Sequence, residues 1–359
     1  MNTPNIPPLA PLLPWLDDPS VSEILVDSYQ KVYFEQEGQF KDIHPSPFNS
    51  EDELIQMIQA LTAGVGRVAD ESHPLVDFRL PGSILVNVAL PPISLTGVTM
   101  TIRKNMGGSL TLEDLLQFET WNLDIVDFLR YCVLGRLNIL FSGGTGSGKT
   151  TVLNLICGLI PDDERIITIE RADELVIKKP RVVRLETRPP NLEGRGEITA
   201  QELVRNALRM RPDRIILGEA HGAEVLDMLQ AINSGHDGAV LSIHANSPLD
   251  ALARLEVMAG FGNPSAPLTL LREQIASAID VIVYQERLGD GSRKILKISE
   301  VTGVIDSVIT TQDIFEFRRT GKKDARVQGF FTATGTIPRF LSHLREYGIE
   351  MPISLFTPK

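Results

Sequence analysis

A chain of 359 residues with 43% hydrophobic and 23% charged residues is expected to bury two cores and to carry no long disordered region. Its formal net charge of −11 argues against non-specific gripping of phosphate backbones, which draws on clustered Lys and Arg, so no nucleic-acid partner is expected. Cys132 and Cys157 sit among apolar neighbours and read as buried free thiols; without a CxxC pair a structural zinc is not expected.

The opening MNTPNIPPLAPLLPWLDDPS has no positive n-region and is broken by prolines, so it does not read as a signal peptide. No apolar run approaches the ~20 residues of a spanning helix, which predicts a cytoplasmic chain whose membrane contact is peripheral. Short strand-like runs at 22–26 and 31–35 come first. A helix over 51–62 follows, with Ser50 as N-cap, Glu53 completing a capping box, and Leu54, Ile55, Ile58 and Leu61 on one face. Gly64 and Gly66 end it. Strands at 83–89 and 98–103, parted by Pro91 and Pro92, complete a small α+β domain over 1–104. The pair Gly107-Gly108 marks 105–110 as a linker.

From Thr111, a helix N-cap, to residue 359 the pattern changes. Apolar runs at 137–141, 165–170, 182–185, 214–217, 239–244 and 281–284 alternate with amphipathic helices. That pattern predicts a largely parallel sheet covered on both faces, an α/β domain. Helix starts are marked by Thr199 with Glu202 and by Ser247-Pro248 with Asp250. More strands follow residue 292, with a closing helix near 338–347.

The chemistry concentrates where the run 137–141 meets Gly143-Gly144-Thr145-Gly146-Ser147-Gly148-Lys149-Thr150 and the helix that Thr151 continues. In this strand–loop–helix context the eight residues form a P-loop. Its glycines let backbone N–H groups converge on phosphates at a helix N-terminus. Lys149 would reach the β- and γ-phosphates and Thr150 would ligate Mg²⁺, so ATP and magnesium are the expected ligands. The run 214–217 delivers Glu219 to the sheet edge, where it could hold the water shell of Mg²⁺ or polarise an attacking water. Glu170, with Asp173 and Glu174 behind it, and the histidines of Gly235-His236-Asp237-Gly238 and His244-Ala245-Asn246 are open to two readings on spacing alone. They are site residues, or a solvated acidic turn and hydrogen-bonded strand-end histidines. The arginines at 181, 184, 188 and 195, and at 205, 209 and 211, include candidates for stabilising a transferring phosphoryl group.

The segments VDFRLPGSILVNVALPPI, TMTIRK, SGGTGSGKTT, RLETRPPNLEGRGEIT, ALRMRPDRIILGE, MLQAINSGHDGAVLSIHANSP, QIASAIDVIV and ATGTIPRFL together resemble the type II/type IV secretion ATPase superfamily. The match is to its tight-adherence (Tad/Flp) pilus branch. The resemblance implies a PAS-like N-terminal domain hinged to a RecA-like ATPase domain, and a homo-hexamer at inner-membrane platform proteins, on the inner face of the cytoplasmic membrane. It implies that Glu170 orients the attacking water, that Glu219 is the Walker B acid, and that His236 and His244 form a His box. Arg79 and Arg103 would approach nucleotide from the first domain, and Arg188 and Arg195 would act on the phosphates or across a subunit boundary. Two residues depart from the family pattern: Arg171 stands where Asp is usual, and His221 where Arg is usual. His221 could reach the subunit boundary, reach Glu219, or simply face solvent. The leading expectation is a motor for pilin assembly or disassembly. The others are a conjugative or export ATPase, a slow-hydrolysing scaffold beside an active paralogue, and a nucleic-acid translocase.

Overall fold

The computed structural model describes residues 7–36, 39–82, 84–104, 110–191, 193–323 and 326–358. It separates into two compact units: Met1–Met106 with Pro190–Gly196, and Gly107–Pro189 with Glu197–Lys359. The expected linker at 105–110 falls, but for residue 110, outside the described residues.

The first unit holds strands β1 (Val21–Ser28), β2 (Lys31–Gln36), β3 (Gln39–Asp42), β4 (Leu75–Leu80), β5 (Ile84–Ala89) and β6 (Thr99–Arg103), with helices α1 (Leu13–Leu16) and α2 (Glu51–Gly64). The strands pair antiparallel in the order β3-β2-β1-β6-β5-β4. Alternation explains the sheet: Val76, Phe78 and Leu80 of β4 and Ile84, Val86 and Val88 of β5 are buried while their neighbours are less so. They meet Leu54, Ile58 and Leu61 of α2 in one core. Ser50 caps α2 by accepting from Glu53 N at 3.2 Å. The expected capping box is incomplete, because Glu53 Oε2 accepts from Asn49 N and Nδ2 instead of from Ser50 N.

The second unit holds β7 (Ile139–Gly143), β8 (Ile166–Glu170), β9 (Val182–Glu186), β10 (Arg214–Leu217), β11 (Val240–His244), β12 (Val281–Arg287), β13 (Arg293–Ile305), β14 (Val308–Lys323) and β15 (Arg326–Ala333). Its helices are α3 (Leu112–Gln117), α4 (Leu123–Leu134), α5 (Lys149–Cys157), α6 (Ala200–Ala207), α7 (Glu224–Asn233), α8 (Pro248–Gly262), α9 (Leu268–Ala278) and α10 (Leu341–Glu346). Strand order is β15-β14-β13-β12-β7-β11-β10-β8-β9. From β12 to β9 every pairing is parallel, and from β12 to β15 every pairing is antiparallel. Strands β7, β8 and β10 are buried at every position, because α4 and α5 cover one face and α7, α8 and α9 the other. That two-sided burial is why these strands read as continuous apolar runs. Thr199 and Glu202 form the expected capping box at α6, as do Thr111 and Asp114 at α3. Cys132 and Cys157 are free and buried, and burial pushes both thiols up. No helix among the described residues is long and apolar enough to cross a membrane.

One polar knot holds the N-terminal end of this sheet. Arg214, 2% exposed, donates from Nε to Glu164 Oε2 at 2.5 Å and from Nη2 to Glu164 Oε1 at 3.2 Å. The same guanidinium donates to the carbonyls of Val133 at 2.8 Å and Gly238 at 3.3 Å. Removing one partner of a buried pair leaves the other without a counter-charge and costs about 3–5 kcal/mol. Arg214→Ala should therefore lower the unfolding free energy of this unit by that much, read as a lower urea midpoint followed by Trp121 fluorescence in a Trp15→Phe background. An unshifted midpoint would show that Arg136, which also pairs with Glu164, is enough by itself.

Candidate active site

The glycine-rich loop leaves β7 at its C-terminal edge and enters α5 through Gly148, whose φ of 92° lies in the left-handed region that glycine adopts without penalty. Lys149 heads α5 yet is only 7% exposed. Its Nζ donates to the carbonyls of Gly143 at 3.0 Å and Gly144 at 3.1 Å, and lies 3.2 Å from His244 Nδ1. An ammonium can only donate, so Nδ1 is the acceptor and the ring proton of a neutral imidazole sits on Nε2. That nitrogen lies 2.5 Å from Glu219 Oε1. The other carboxylate oxygen, Oε2, lies 3.2 Å from His221 Nε2.

Topology explains the meeting. β11 is parallel to β7 with His244 opposite Gly143, and β10 lies beside β11, so three strand ends deliver Lys149, His244 and Glu219 to one edge. The turn after Glu219 is fixed from below: Glu224, 5% exposed, accepts at Oε1 from His221 N at 2.6 Å and Gly222 N at 2.9 Å. Of the alternatives open for His221, the structure shows the contact with Glu219.

Burial and then the charge of Lys149 push His244 below the usual imidazole range, against the pull of Glu219. Burial alone would raise Glu219. The hydrogen bond from His221 and the charges of His244, His221 and Lys149 outweigh it and hold the carboxyl below its usual range. Both shifts make the folded chain bind fewer protons than the unfolded one. Stability is therefore expected to fall as pH drops below about 6.5, the unfolded imidazole value, and again below about 4.3, the unfolded Glu value. The check is a denaturant midpoint measured from pH 7.5 to 3.5 for wild type and Glu219→Gln. The variant should lose the lower step, and superimposable profiles would contradict the assignment.

Glu170 ends β8, 5% exposed, and Oε1 accepts from the amides of Glu174 at 3.0 Å and Leu175 at 2.9 Å. Burial pushes its carboxyl up, with those two amides opposing. Its Cγ fills the space over Gly218: a Cβ on Gly218 would come within 2.8 Å of it. Glu170 is thus packed against the residue before Glu219. Glu174, which spacing left as part of an acidic turn, accepts at Oε2 from Thr150 Oγ1 at 3.4 Å, while Asp173 pairs with Arg184. Ser147 is buried in the loop beside Gly143, with Thr145 and Gly146 ahead of it, and Thr151 lies in the first turn of α5.

Two expected site residues of this unit, His236 and Arg188, stand elsewhere in it. His236 precedes β11 and so lies at the opposite end of that strand from His244. Its Nδ1 is 3.2 Å from Ala231 O. Within one chain the structure does not bring it to the P-loop, because four residues of extended strand intervene. Arg188 follows β9, the edge strand four positions from β7, about 19 Å away at ~4.8 Å per strand. Its backbone pairs with Ile198. Arg195, 81% exposed at the side chain, is 3.5 Å from Glu193. In the first unit Arg79 and Arg103 both register with Leu85, which puts them on one face of that sheet, and Arg103 pairs with Glu23 at 2.8 Å.

A parallel sheet whose P-loop strand is separated by one strand from an acid-bearing strand defines a P-loop nucleotide-binding protein of the RecA-like class. The chain belongs to the type II/IV secretion system protein family, whose model matches residues 8–331, and it is an ATPase of that class. A putative conjugal transfer protein of Mycobacterium tuberculosis is 34% identical over 294 residues, 80% of this chain and 83% of the relative. Protein VirB11 of Agrobacterium fabrum is 34% identical over 312 residues, 79% of this chain and 89% of the relative. The fold is shared with the ATPase DotB of Legionella pneumophila, at TM-score 0.58 and 20% identity over 84% of this chain and 82% of that one. It is shared also with the pilus retraction motor PilT with bound ADP, at TM-score 0.55 and 22% identity over 84% and 80%.

Proposed function

We propose that this chain hydrolyses Mg-ATP at the Lys149–His244–Glu219 cluster and works as the hexameric ATPase of a type IV secretion or conjugative transfer machine, docked on that machine's inner-membrane platform. The observation that carries the chemistry is the run of close contacts that joins the P-loop lysine to His244 at 3.2 Å and His244 to Glu219 at 2.5 Å. Glu219, kept ionised by its two histidines, takes the proton of a water whose oxygen attacks the γ-phosphorus as the bond to the β-phosphate oxygen breaks. His244 stands against Glu219 Oε1, and Lys149 exchanges its loop carbonyls for phosphate oxygens. Glu170 holds the sheet edge beside Gly218. The hard oxygens of Thr150 and Glu174 suit Mg²⁺, which takes oxygen ligands and keeps several waters; when bound, it neutralises charge on the phosphates.

The resemblance to the pilus branch implied pilin assembly. Relatives named for conjugal transfer and VirB11 that align with about four-fifths of the chain move the reading to secretion. A host strain lacking the chain, complemented with wild type or Glu219→Gln, separates the two. The secretion reading expects macromolecule transfer to be restored by wild type alone. Transfer that persists without the chain, with loss of surface pilin instead, would return the protein to pilus assembly.

A further inference from the structure

We propose that the outer part of the β14–β15 hairpin is a lipid-docking ribbon, which lays Arg318, Lys323, Arg326 and Phe330 on a bilayer of anionic phospholipid. β14 pairs with β13 only as far as Lys297 opposite Glu316, and from Arg318 to Lys323 it pairs with β15 alone. Beyond Glu316 the hairpin is therefore a two-stranded ribbon at the edge of the sheet. Arg318, Arg319, Lys322, Lys323 and Arg326 all fall between residues 318 and 326, against one acid, Asp324, which lies outside the described residues. The chain as a whole, at −11, has the opposite sign. An edge strand needs charge to deter pairing with another chain, but either sign serves, and here both strands carry cations.

One face of the ribbon is turned to the rest of the sheet. Arg319 lies 3.4 Å from Glu286, and the Lys294 ammonium stands 5.8 Å from the centre of the Phe317 ring. Val327 N donates to Asp290 Oδ2 at 2.6 Å, which ties the ribbon to the β12–β13 turn. The other face carries cations and an apolar ring. β15 keeps an unbroken register, so Arg326, Gln328 and Phe330 share that face, and all three are exposed. Arg318 stands opposite Phe330, and Lys323 opposite Arg326. Five residues apart, Arg318 and Lys323 would point to opposite faces of an unbroken strand. The bulge between Arg319 and Gly321 brings them to one.

Arg318 is held by Glu316 at 2.6 Å, an exposed pair, while Lys322, Lys323 and Arg326 have no ion-pair partner among the described residues. Phe330, 44% exposed, adds apolar surface among these charges. A cationic face with a half-exposed ring matches a bilayer boundary, where guanidinium and ammonium groups meet headgroup phosphates and the ring enters at the acyl edge. A nucleic acid would use the same cations. As a polyanion passing the ribbon it would also meet Glu286, Asp290 and Glu316 at the ribbon's root, in a chain of −11. A flat bilayer touches the outer face alone.

The test is sedimentation of the full chain, without nucleotide, with vesicles of phosphatidylcholine alone and of an equal mixture with phosphatidylglycerol. Binding is expected to the mixture alone, and to fall as salt is raised. The double variant Lys323→Gln with Arg326→Gln should weaken it by about 25-fold, at about fivefold for each cation near an anionic surface. Phe330→Ser should weaken it by about tenfold, through lost apolar burial, and leave its salt dependence intact. Thermal midpoints should stay at or above the wild-type value in both, since all three side chains face solvent. Equal binding to both kinds of vesicle, binding to neither, or a double variant that sediments as wild type does overturns the proposal. A midpoint that falls in step with lost binding also overturns it and assigns these residues to folding. A DNA duplex bound by wild type and not by the double variant, with vesicle binding kept, would hand the ribbon to nucleic acid instead.

Discussion

Glu219→Gln is expected to bind ATP as wild type does and to lose turnover by about 10²–10⁴-fold, the range for a positioned general base. The amide keeps the shape and one hydrogen-bond acceptor, so His244 or His221 still finds a partner. It cannot accept the proton of the attacking water. Lys149→Ala should fail earlier, at binding, because it removes the one cation inside the loop and leaves the carbonyls of Gly143 and Gly144 facing the phosphates without a counter-charge. The two variants therefore separate cradle from base. Phosphate release by Glu219→Gln within about threefold of wild type would show that another group takes the proton, and Glu170, packed against Gly218, would be the next to test.

The second large effect is expected at Arg188 and Arg195. Arg188 does not reach Lys149 within one chain, because it follows an edge strand four positions from β7, and Arg195 is an exposed side chain in the segment Pro190–Gly196 that groups with the first unit. In a ring, an edge strand is where one subunit can meet the next. Arginines supplied across a boundary contribute roughly 10³–10⁵-fold in related chemistry. Arg188→Ala or Arg195→Ala should then reduce turnover far more than it weakens ATP binding. Mixing either variant with Glu219→Gln should restore part of the activity, because some interfaces would join an intact Glu219 to an intact arginine. Loss in both variants with no recovery on mixing would place the arginines in the folding of their own chain.

Much of this was legible in the sequence because it is local. The P-loop is eight consecutive residues whose glycines state their own reason, and the buried strands announce themselves as apolar runs. The Thr199–Glu202 capping box also spans only one turn. What escaped depends on distant segments meeting. Arg293 touches Gly146 across 147 residues of sequence, and nothing near either residue signals the pairing; it follows from β12 lying beside β7. The contact of His221 with Glu219 was one of several open possibilities, since two glycines nearby permit many directions. Glu224, which fixes that turn, looks in the sequence like an ordinary acid in the first turn of a helix. Glu53 shows the reverse failure, a local motif matched in letters but not in bonds, because its carboxylate accepts from the backbone and side-chain N–H groups of Asn49 instead. His236 and His244 were grouped as a His box by the family resemblance alone, and within one chain they lie at opposite ends of β11.

The central claim, that hydrolysis occurs at a Lys149–His244–Glu219 site completed by assembly, is tested most directly by measuring phosphate release and molar mass together across protein concentration in Mg-ATP. The account predicts that release per chain climbs steeply as the mass passes from that of one chain to that of six. Constant release per chain from dilute monomer to concentrated protein would contradict the shared site, and no release at any mass would contradict the enzyme.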